Sequence, residues 1–357
     1  MISSPPHALR RPSAVAGLLS VVALFASSCS SPGTTTDATT TEASATATQS
    51  AAASTGVDLT LFKAGAVVGD PSTVDCTLSG GAETTCYEIT ISGYPTDHEV
   101  GPFCPETITT GADKAGIWFD GEGVYDLDGE FIANLAEKYN DSGWQMYDEN
   151  GNVFVTDTAE AFEAAARPDV DPAYQNYCIE GSVDYLENGE PITSTVLIPT
   201  SPVAAAAPSE PQGNQGVTLD GVIIAASAPV DAILGAYTIA SFDDCGGHFN
   251  PFEGYHLHGA TGCSETGTAS EGETAMFGYA MDGYPVHSPY SEAELANVQL
   301  DECNGHTTEA EGYHYHANSA AKNQVIQCLV GQTVAGEGDG GGPPAGGVPA
   351  GGAPGNN

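Results

Sequence analysis

Short apolar–polar patterns in the first half of the chain predict hairpins and a helix. Residues 76–91 contain two strand-like runs on either side of Ser79-Gly80-Gly81-Ala82, which predicts a β-hairpin. Residues 144–157 show a similar pattern around Asn150-Gly151, a favoured two-residue turn. Between them, residues 129–140 carry apolar side chains at three- and four-residue intervals, which predicts a helix. Strand patterns dominate, so the sequence predicts an α+β fold that is predominantly β.

Changes in composition divide the chain into segments of different kinds. Ser, Thr and Ala dominate after the first apolar run, Pro and Ala dominate a stretch in the middle, and Gly and Pro dominate the end. Such stretches are typical of tethers and linkers. The predicted segments are a signal peptide with a lipobox (1–29), a disordered tether (30–56), a disulfide-containing α+β domain with hairpins and small helices (57–198), a Pro/Ala linker (199–216), a β-rich domain (217–333) and a disordered Gly/Pro tail (334–357).

The N-terminus has the features of an export signal. Arg10 and Arg11 precede an apolar run over residues 14–26, which is too short to span a membrane as a helix. The run ends at Ala26-Ser27-Ser28-Cys29, which resembles a bacterial lipobox; the alternative is an ordinary cleavage site followed by an unrelated Cys. We expect lipidation of Cys29 and an exported protein that is lipid-anchored to the bacterial cell envelope.

The charge of the chain is strongly one-sided. Seven Lys and Arg residues stand against 47 Asp and Glu residues, which gives a formal net charge of −40. Nucleic-acid binding requires Lys and Arg to neutralise phosphates, so this composition excludes nucleic acid as a main partner. It also disfavours binding to anionic lipid head groups, which leaves the N-terminal lipid as the expected contact with the membrane. No protein partner or substrate follows from the sequence.

The Cys content is consistent with an exported protein. Of nine Cys residues, eight remain once Cys29 is set aside, and an even number predicts four disulfides in an oxidising compartment. Metal ligation by the Cys residues of the second domain is the less favoured alternative. Proximity in the sequence favours the pairs Cys76–Cys86, Cys104–Cys178, Cys245–Cys263 and Cys303–Cys328.

Seven of the nine His residues lie between residues 248 and 316, and six of them follow a repeated pattern. An acidic residue, Cys, any residue, Gly and His, followed after six residues by Tyr-His-x-His, occurs at 244–258 and again at 302–316. The offset is 58 residues at every matched position (302 − 244). A second similarity, between 216–224 and 278–286, has an offset of 62 (278 − 216). The sequence therefore predicts a duplicated domain whose halves are related by a pseudo-twofold axis.

The His-x-His pairs point to metal chemistry. Successive side chains on a strand face opposite sides of the sheet, so one Tyr-His-x-His segment can bury its apolar face while both imidazoles share the other. Neutral imidazoles at this spacing can supply two nitrogen ligands to one metal ion, and the preceding His can supply a third. They could form two separate three-His sites, a dinuclear pair, or one site shared by the repeats. The predicted ligands are His248, His256, His258, His306, His314 and His316.

Acidic residues beside the repeat Cys residues are further candidates. We expect four of them to act as metal ligands or as hydrogen-bond acceptors that orient the imidazoles: Asp243, Asp244, Asp301 and Glu302. His287 has no counterpart in the first repeat and is a weak ligand candidate, and His98 is expected at the surface. The alternative for the repeat histidines is a structural role, in which they hold the turns of a duplicated fold by hydrogen bonds.

With these residues the chain resembles the YHYH-domain family of exported bacterial proteins. The motif of the family is seen here as Tyr313-His314-Tyr315-His316, and residues 279–286 and 300–306 are also similar. The resemblance is strong across 217–333 and looser over the first domain. In the first repeat, Leu257 replaces a Tyr of the motif and leaves the His pair intact. The resemblance implies an exported protein, here a lipoprotein with a YHYH-like domain of two repeats, and brings no established reaction.

Transition-metal binding is the function that the residues predict. Copper is the expected ion and zinc the second, because imidazole-rich sites bind copper tightly and exported proteins encounter it. Three classes of function remain open: metal binding or delivery, a metalloenzyme such as a copper oxidase or a zinc hydrolase, and an adhesion or carbohydrate-binding module with structural His residues. Neither an HExxH motif nor a Gly-rich phosphate loop occurs, so the sequence does not decide whether the protein is an enzyme.

Overall fold

The computed structural model describes residues 56–167, 169–266 and 269–336. The predicted signal peptide with Cys29, the tether before residue 56 and the tail after residue 336 lie outside these ranges. Strands outnumber helices within them, which confirms the predominantly β, α+β class. Among the described residues, no helix has the length and apolar character needed to cross a membrane.

The described strands and α-helices are all short. The strands are β1 (Ser72–Thr77), β2 (Glu83–Ile91), β3 (Ile117–Phe119), β4 (Val124–Asp126), β5 (Cys178–Ile179), β6 (Ser194–Pro199), β7 (Ala204–Ser209), β8 (Gly216–Thr218), β9 (Ile223–Ile224), β10 (Ile239–Ala240), β11 (Gly247–Asn250), β12 (Gly254–Leu257), β13 (Met276–Ala280), β14 (Pro285–His287), β15 (Gly305–Thr308), β16 (Gly312–His316) and β17 (Leu329–Gly331). The α-helices are α1 (Gly129–Ala133), α2 (Leu135–Lys138), α3 (Ala159–Ala165), α4 (Val230–Gly235) and α5 (Glu292–Leu295).

An eight-stranded sheet carries the histidine-rich region. Its strand order is β11-β12-β9-β8-β13-β14-β16-β15. Strands β8 and β13 form the central antiparallel pair. In one half, β8 pairs with β9 antiparallel, β9 with β12 parallel, and β12 with β11 antiparallel. In the other half, β13 pairs with β14 antiparallel, β14 with β16 parallel, and β16 with β15 antiparallel. The two halves therefore have the same strand order, in agreement with the two offsets in the sequence. The duplication itself stays a prediction.

The outer hairpin of each half pairs its histidines in register. His248 on β11 lies opposite His256 on β12, and His306 on β15 lies opposite His314 on β16. Cross-strand neighbours of this kind have Cβ atoms about 5 Å apart, so two imidazoles on one face can meet. The third His of each set follows two residues after the second: His316 ends β16 and shares the face of His314, and His258 lies one residue beyond β12. Each hairpin thus gathers three imidazoles by itself.

Predictions for the first half of the chain are confirmed in part. The hairpin at 76–91 is present as β1 and β2, and β6 extends it to a three-stranded sheet. The helix predicted over 129–140 is divided into α1 and α2 at Asn134, which leaves the helical conformation. The hairpin predicted at 144–157 is reduced to one bridge between Tyr147 and Val153. There the Asp148 carboxylate accepts hydrogen bonds from turn amides, which shapes a loop in place of a strand ladder.

Four disulfides brace the described chain, with the pairing that proximity in the sequence predicts. Two of them flank the histidine hairpins, so the Cys residues of the repeats are not metal ligands. Each bridge of this kind is worth about 2–4 kcal/mol, chiefly through the unfolded state. The bridges are Cys76–Cys86, Cys104–Cys178, Cys245–Cys263 and Cys303–Cys328.

Residues from both predicted domains share their hydrophobic cores. Phe162 of the first segment packs in one core with Phe249 of the second. In another core, Phe119 stacks on Phe242 with ring centroids 4.1 Å apart. The predicted linker, 199–216, contains β7, which pairs with β17. The boundary predicted between residues 198 and 217 is therefore not visible as a break in the core, because each segment buries its apolar side chains against the other, and the described chain belongs to one compact unit.

Candidate functional site

The six predicted histidines lie in two separate clusters. We call the group of His248, His256 and His258 the open cluster. The closed cluster consists of His306, His314 and His316 together with Glu273. Within each cluster one nitrogen or oxygen atom per residue lies within 4.8 Å of those of the others. Strands β12 and β16 are five strand spacings apart, roughly 24 Å along the sheet, so of the three predicted arrangements the placement matches two independent sites.

Three imidazoles and one carboxylate converge in the closed cluster. The Nε2 atom of His306 lies 3.0 Å from that of His314 and 3.2 Å from that of His316. The Glu273 Oε2 atom lies 3.1, 3.2 and 3.4 Å from the Nε2 atoms of His306, His314 and His316. The centre of a regular tetrahedron with such edges is about 2.0 Å from each corner, which is the length of a Zn–N or Zn–O bond. These side chains have the spacing of a four-coordinate metal site.

Hydrogen bonds at the second ring nitrogen orient the imidazoles of the closed cluster. The Nδ1 atom of His314 lies 3.1 Å from the Gly312 carbonyl oxygen, and that of His316 lies 3.3 Å from the Ser288 carbonyl oxygen. A carbonyl oxygen only accepts, so in each neutral imidazole Nδ1 carries the proton and Nε2 keeps its lone pair. His314 Nε2 and the carboxylate of Glu273 are then two acceptors 3.2 Å apart. Two acceptors at this distance need a cation between them, either a proton or a metal ion.

Burial and hydrogen bonding set the protonation states of the closed cluster. Burial, followed by the neighbouring His314, lowers the pKa of His316 to about 3. Burial opposes ionisation of Glu273, but the hydrogen bond that the Tyr290 hydroxyl donates and the proximity of His314 and His306 outweigh it and lower the pKa of that carboxyl. The Tyr290 ring also stacks on His316, with centroids 4.1 Å apart. The enclosed site therefore offers a neutral imidazole and an ionised carboxylate, the states that bind metal ions.

The open cluster presents three imidazoles without a carboxylate. The Nε2 atoms of His248 and His256 are 3.1 Å apart, and the His258 ring centroid lies 5.0 and 4.8 Å from theirs. His256 Nδ1 donates to the Gly254 carbonyl at 3.0 Å, as its counterpart in the closed cluster does to Gly312. His258 Nδ1 is buried and has no hydrogen-bond partner within the described ranges. Burial lowers the pKa of all three histidines, so they are neutral nitrogen donors.

A cavity of about 310 Å³ lies over the open cluster, and all three of its histidines line it. Asn250 and Glu253 are its polar neighbours: Asn250 Nδ2 lies 2.8 Å from Glu253 Oε2 and 3.4 Å from His256 Nε2. Most other lining residues are small or apolar, among them Ala165, Ala225, Ala228, Pro229, Ala232 and Ile233. A metal ion on the open cluster would face this cavity, whereas Tyr290 covers the closed cluster.

None of the four acidic candidates predicted from the sequence joins either cluster. Asp243 and Asp301 each accept a hydrogen bond from the first Tyr of a Tyr-His-x-His segment and from two backbone amides of the preceding turn. Asp244 and Glu302 are exposed. These carboxylates therefore differ from the prediction: Asp243 and Asp301 hold the turn before each hairpin, and the imidazoles are oriented by backbone carbonyls.

Sequence reasoning missed the carboxylates that do approach the histidines. Glu273 lies in the loop before β13, outside both repeats, and nothing in its spacing distinguishes it among 47 acidic residues. Glu253 and Glu311 carry a signal, since each precedes Gly-Tyr-His-x-His at the same offset of 58. Glu311 Oε2 lies 3.5 Å from the Nε2 atom of His287, whose ring stacks on His314. Glu253 has one buried carboxylate oxygen with no hydrogen-bond partner in the described part of the chain.

The replacement of a motif Tyr by Leu257 changes the hydrogen bonding in the core. In the second half of the sheet the Tyr315 hydroxyl donates to Asp282 at 2.6 Å. Leu257 has no hydroxyl, and the matching carboxylate, Asp220, lies 3.4 Å from His98 Nδ1. His98, expected at the surface, accordingly has a side chain only 17% exposed. The partly buried His98 thus lies beside the carboxylate that matches Asp282 in the half where Leu257 departs from the motif.

Comparisons with known proteins give one match. No curated protein and no solved structure matches the chain. A family described as YHYH protein matches residues 195–299, a span that contains the open cluster and Glu273 and ends before the second Tyr-His-x-His segment. Residues 195–299 of this chain therefore match the YHYH protein family, which confirms the resemblance deduced from the sequence.

Proposed function

We propose that this protein is an extracytoplasmic, lipid-anchored metal-binding protein with two sites, and that the ion at both is zinc. The closed cluster carries the proposal. Four inward-facing donor atoms, with five of their six separations between 3.0 and 3.4 Å, include a carboxylate oxygen and an imidazole lone pair that face each other. Such a group is stable in a buried place when a cation lies at its centre.

Zinc takes the place of the copper expected from the sequence because of the shape and chemistry of the closed cluster. Three nitrogens and one oxygen at tetrahedral spacing suit zinc, whereas Cu(II) prefers a square-planar or tetragonal set. Cu(I) favours thiolate and thioether ligands, whereas the donor atoms of the two clusters belong to imidazoles and one carboxylate. The two clusters differ in ligand number, so the closed one is the retentive site and the open one the exchangeable site.

The test is elemental analysis of the full chain purified from its exported compartment, with two matched double variants. Native protein is expected to carry two zinc ions. His314→Ala with His316→Ala removes the ion of the closed cluster alone, and His256→Ala with His258→Ala removes that of the open cluster alone. His98→Ala, a partly buried histidine outside both clusters, is the control and retains both ions. Native protein without metal, or full metal content in both double variants, contradicts the proposal and favours structural histidines.

The proposed location has its own support and test. Four disulfides favour an oxidising compartment outside the cytoplasm. We expect the mature protein to begin at an acylated Cys29 and to partition into detergent, and Cys29→Ser to release it into the soluble fraction. One acyl chain holds only weakly, so the anchor should carry more than one. Mass spectrometry that finds an unmodified N-terminus after residue 29 contradicts the lipid anchor and leaves the zinc proposal untouched.

A further inference from the structure

We infer that the open cluster is a hydrolytic centre for small uncharged carboxylic esters, with Glu253 as the group that accepts the proton of the attacking water. The inference rests on the proposed function, since it requires the zinc ion at this cluster. It goes further by assigning a reaction, a substrate class and a role for Glu253.

The number of ligands separates the two clusters chemically. Zinc sites with four protein ligands are closed and structural, whereas catalytic zinc sites have three and keep a position for water. The open cluster supplies three imidazoles, His248, His256 and His258, and no carboxylate of the described chain joins them. The fourth position is therefore available to a water molecule, which zinc would make more acidic.

The cavity over the open cluster suits an uncharged substrate. Small and apolar side chains form most of its wall, and its volume of about 310 Å³ is in the range of small-ligand sites. Its cationic residue, Arg167, is paired with Asp169 by hydrogen bonds of 2.8 and 2.6 Å. The chain carries a formal charge of −40, so its field repels anionic substrates. An ester with an aliphatic acyl group matches the apolar wall.

Glu253 has the position and the free acceptor that a general base needs. It lines the same cavity as the three histidines. Asn250 Nδ2 holds its Oε2 atom at 2.8 Å and lies 3.4 Å from His256 Nε2, so the carboxylate is within two hydrogen-bond lengths of the ligand nitrogen. Its Oε1 atom is buried without a hydrogen-bond partner among the described residues. A carboxylate at this distance can reach a zinc-bound water molecule.

The counterpart of Glu253 in the second half is engaged differently. Glu311 stands at the matching position, 58 residues later, and its carboxylate faces His287 at 3.5 Å and accepts a hydrogen bond from Ser270. The closed cluster already has Glu273 as its fourth ligand. In each carboxylate one oxygen accepts a side-chain hydrogen bond and the other has no hydrogen-bond partner among the described residues, so the two positions differ in their surroundings: Glu253 lines the cavity of the open cluster, whereas Glu311 faces His287.

The reaction follows from these groups. A zinc ion held by His248, His256 and His258 would make a bound water molecule more acidic, and Glu253 would accept the proton of that water as its oxygen adds to the carbonyl carbon of the ester. The bond between that carbon and the alcohol oxygen breaks, and the proton passes from Glu253 to the departing alkoxide. One ester and one water become one carboxylic acid and one alcohol, with no oxidant or reductant.

The experiment compares two matched variants of the zinc-loaded full chain, Glu253→Gln and Glu311→Gln. The probes are the p-nitrophenyl esters of acetic, butyric and octanoic acid. Glu253→Gln is expected to lower kcat/KM by about 10²–10⁴-fold, the range for loss of a general base, with two zinc ions retained. Glu311→Gln is expected to keep native kcat/KM. Ala232→Phe, at the exposed rim of the cavity, should slow the octanoate more than the acetate.

A second readout is independent of turnover. In protein loaded with Co²⁺, butyrohydroxamic acid is expected to shift the visible absorption of one ion, and the double change His256→Ala with His258→Ala abolishes that shift. Two bound ions without ester hydrolysis and without this shift overturn the hydrolytic inference and leave the metal proposal standing. Absence of bound metal overturns both. Equal loss of activity in Glu253→Gln and Glu311→Gln contradicts the role of Glu253.

Discussion

The open and closed clusters are built on the same hairpin and end with different chemistry. In both, two histidines face each other across an antiparallel pair, and the first His of the His-x-His segment donates Nδ1–H to the carbonyl of the Gly two residues before it. The closed cluster gains Glu273 and the covering ring of Tyr290, whereas the open cluster meets a cavity. The difference teaches that the hairpin of each half gathers three imidazoles, and that segments outside the repeats decide whether a carboxylate or a cavity meets them.

The tyrosine faces of the hairpins differ as well. Tyr315 is 1% exposed and bonds the buried Asp282, and its counterpart Leu257 packs without a hydrogen bond. The first Tyr of each segment keeps its bond to an aspartate, Tyr255 to Asp243 and its counterpart likewise. Leu257 therefore replaces a Tyr on the face of the hairpin that packs into the core, and the face that carries the histidines is unchanged.

The largest expected effect on stability is that of Tyr315→Ala. Loss of this buried ring should destabilise the protein by about 3–5 kcal/mol, the range for a fully buried aromatic side chain. Tyr313→Ala, on the same strand but only partly buried, should cost clearly less. Chemical denaturation of the zinc-loaded variants measures both values. Equal losses of stability in the two variants would show that the deeper burial of Tyr315 does not make it more important for stability than Tyr313.

Removal of the fourth ligand should convert the closed cluster into one that resembles the open cluster. Glu273→Gln is expected to lower zinc affinity at the closed cluster by at least about 100-fold, since even a change outside the ligand shell costs 10–100-fold. Competition with a chelator of known affinity measures the loss. Glu271→Gln, an exposed neighbour, is the control and should bind zinc as the native protein does. An unchanged zinc affinity in Glu273→Gln would show that Glu273 is not a ligand and that the two clusters do not differ in ligand number.

The metal-free protein should lose stability in acid. The pKa is about 3 for His316 and about 4 for His287, both chiefly because of burial, so each stays neutral in the folded state while the unfolded chain takes up a proton below about pH 6.5. The unfolded state then binds more protons, and stability falls as the pH drops from about 6.5 toward 3. For His316 the loss at pH 5 is on the order of 2 kcal/mol.

Thermal unfolding of the metal-free protein between pH 7 and pH 4 tests this dependence. His316→Ala is expected to flatten the slope, because the residue that stays neutral in the fold is gone. A native slope in that variant would place the acid sensitivity elsewhere, for example in the open cluster, whose three histidines have lowered pKa values for the same reason.

The smallest effect on stability is expected from removal of the hydroxyl of the first Tyr in each Tyr-His-x-His segment, a residue that both halves of the sheet share. Tyr255→Phe removes the hydroxyl that donates to the buried Asp243 at 2.7 Å and should cost about 1–3 kcal/mol. Tyr313→Phe removes the matching bond to the exposed Asp301 and should cost less than about 1 kcal/mol, since water can replace the donor. Denaturation midpoints compare the two. A larger loss of stability in Tyr313→Phe than in Tyr255→Phe would show that the bond to Asp243 is not the better-buried of the two.

Much of the fold that depends on neighbours in the sequence was predictable. The hairpin of β1 and β2 follows from two strand-like runs around Ser79-Gly80-Gly81-Ala82, and the disulfides follow from Cys spacing. The strand pairing within 199–216 was not predictable, because the Pro/Ala composition of this segment is typical of linkers while the chain there forms β7, which pairs with a distant strand, β17. Composition indicates which conformation a segment favours by itself, whereas strand pairing depends on which other strands of the chain lie beside it.

The sequence by itself determined which imidazoles lie together. A His residue, a turn and a His-x-His segment lie within 11 residues, and strand alternation with cross-strand pairing is enough to gather them. Only the tertiary structure decided that Glu273 closes one group, and that a cavity with Glu253 lies over the other. The physical reason is the range of the interactions. Hairpin contacts are set by local backbone geometry, whereas Glu273 lies 33 residues before His306 and arrives only when distant segments bury their apolar side chains against the sheet.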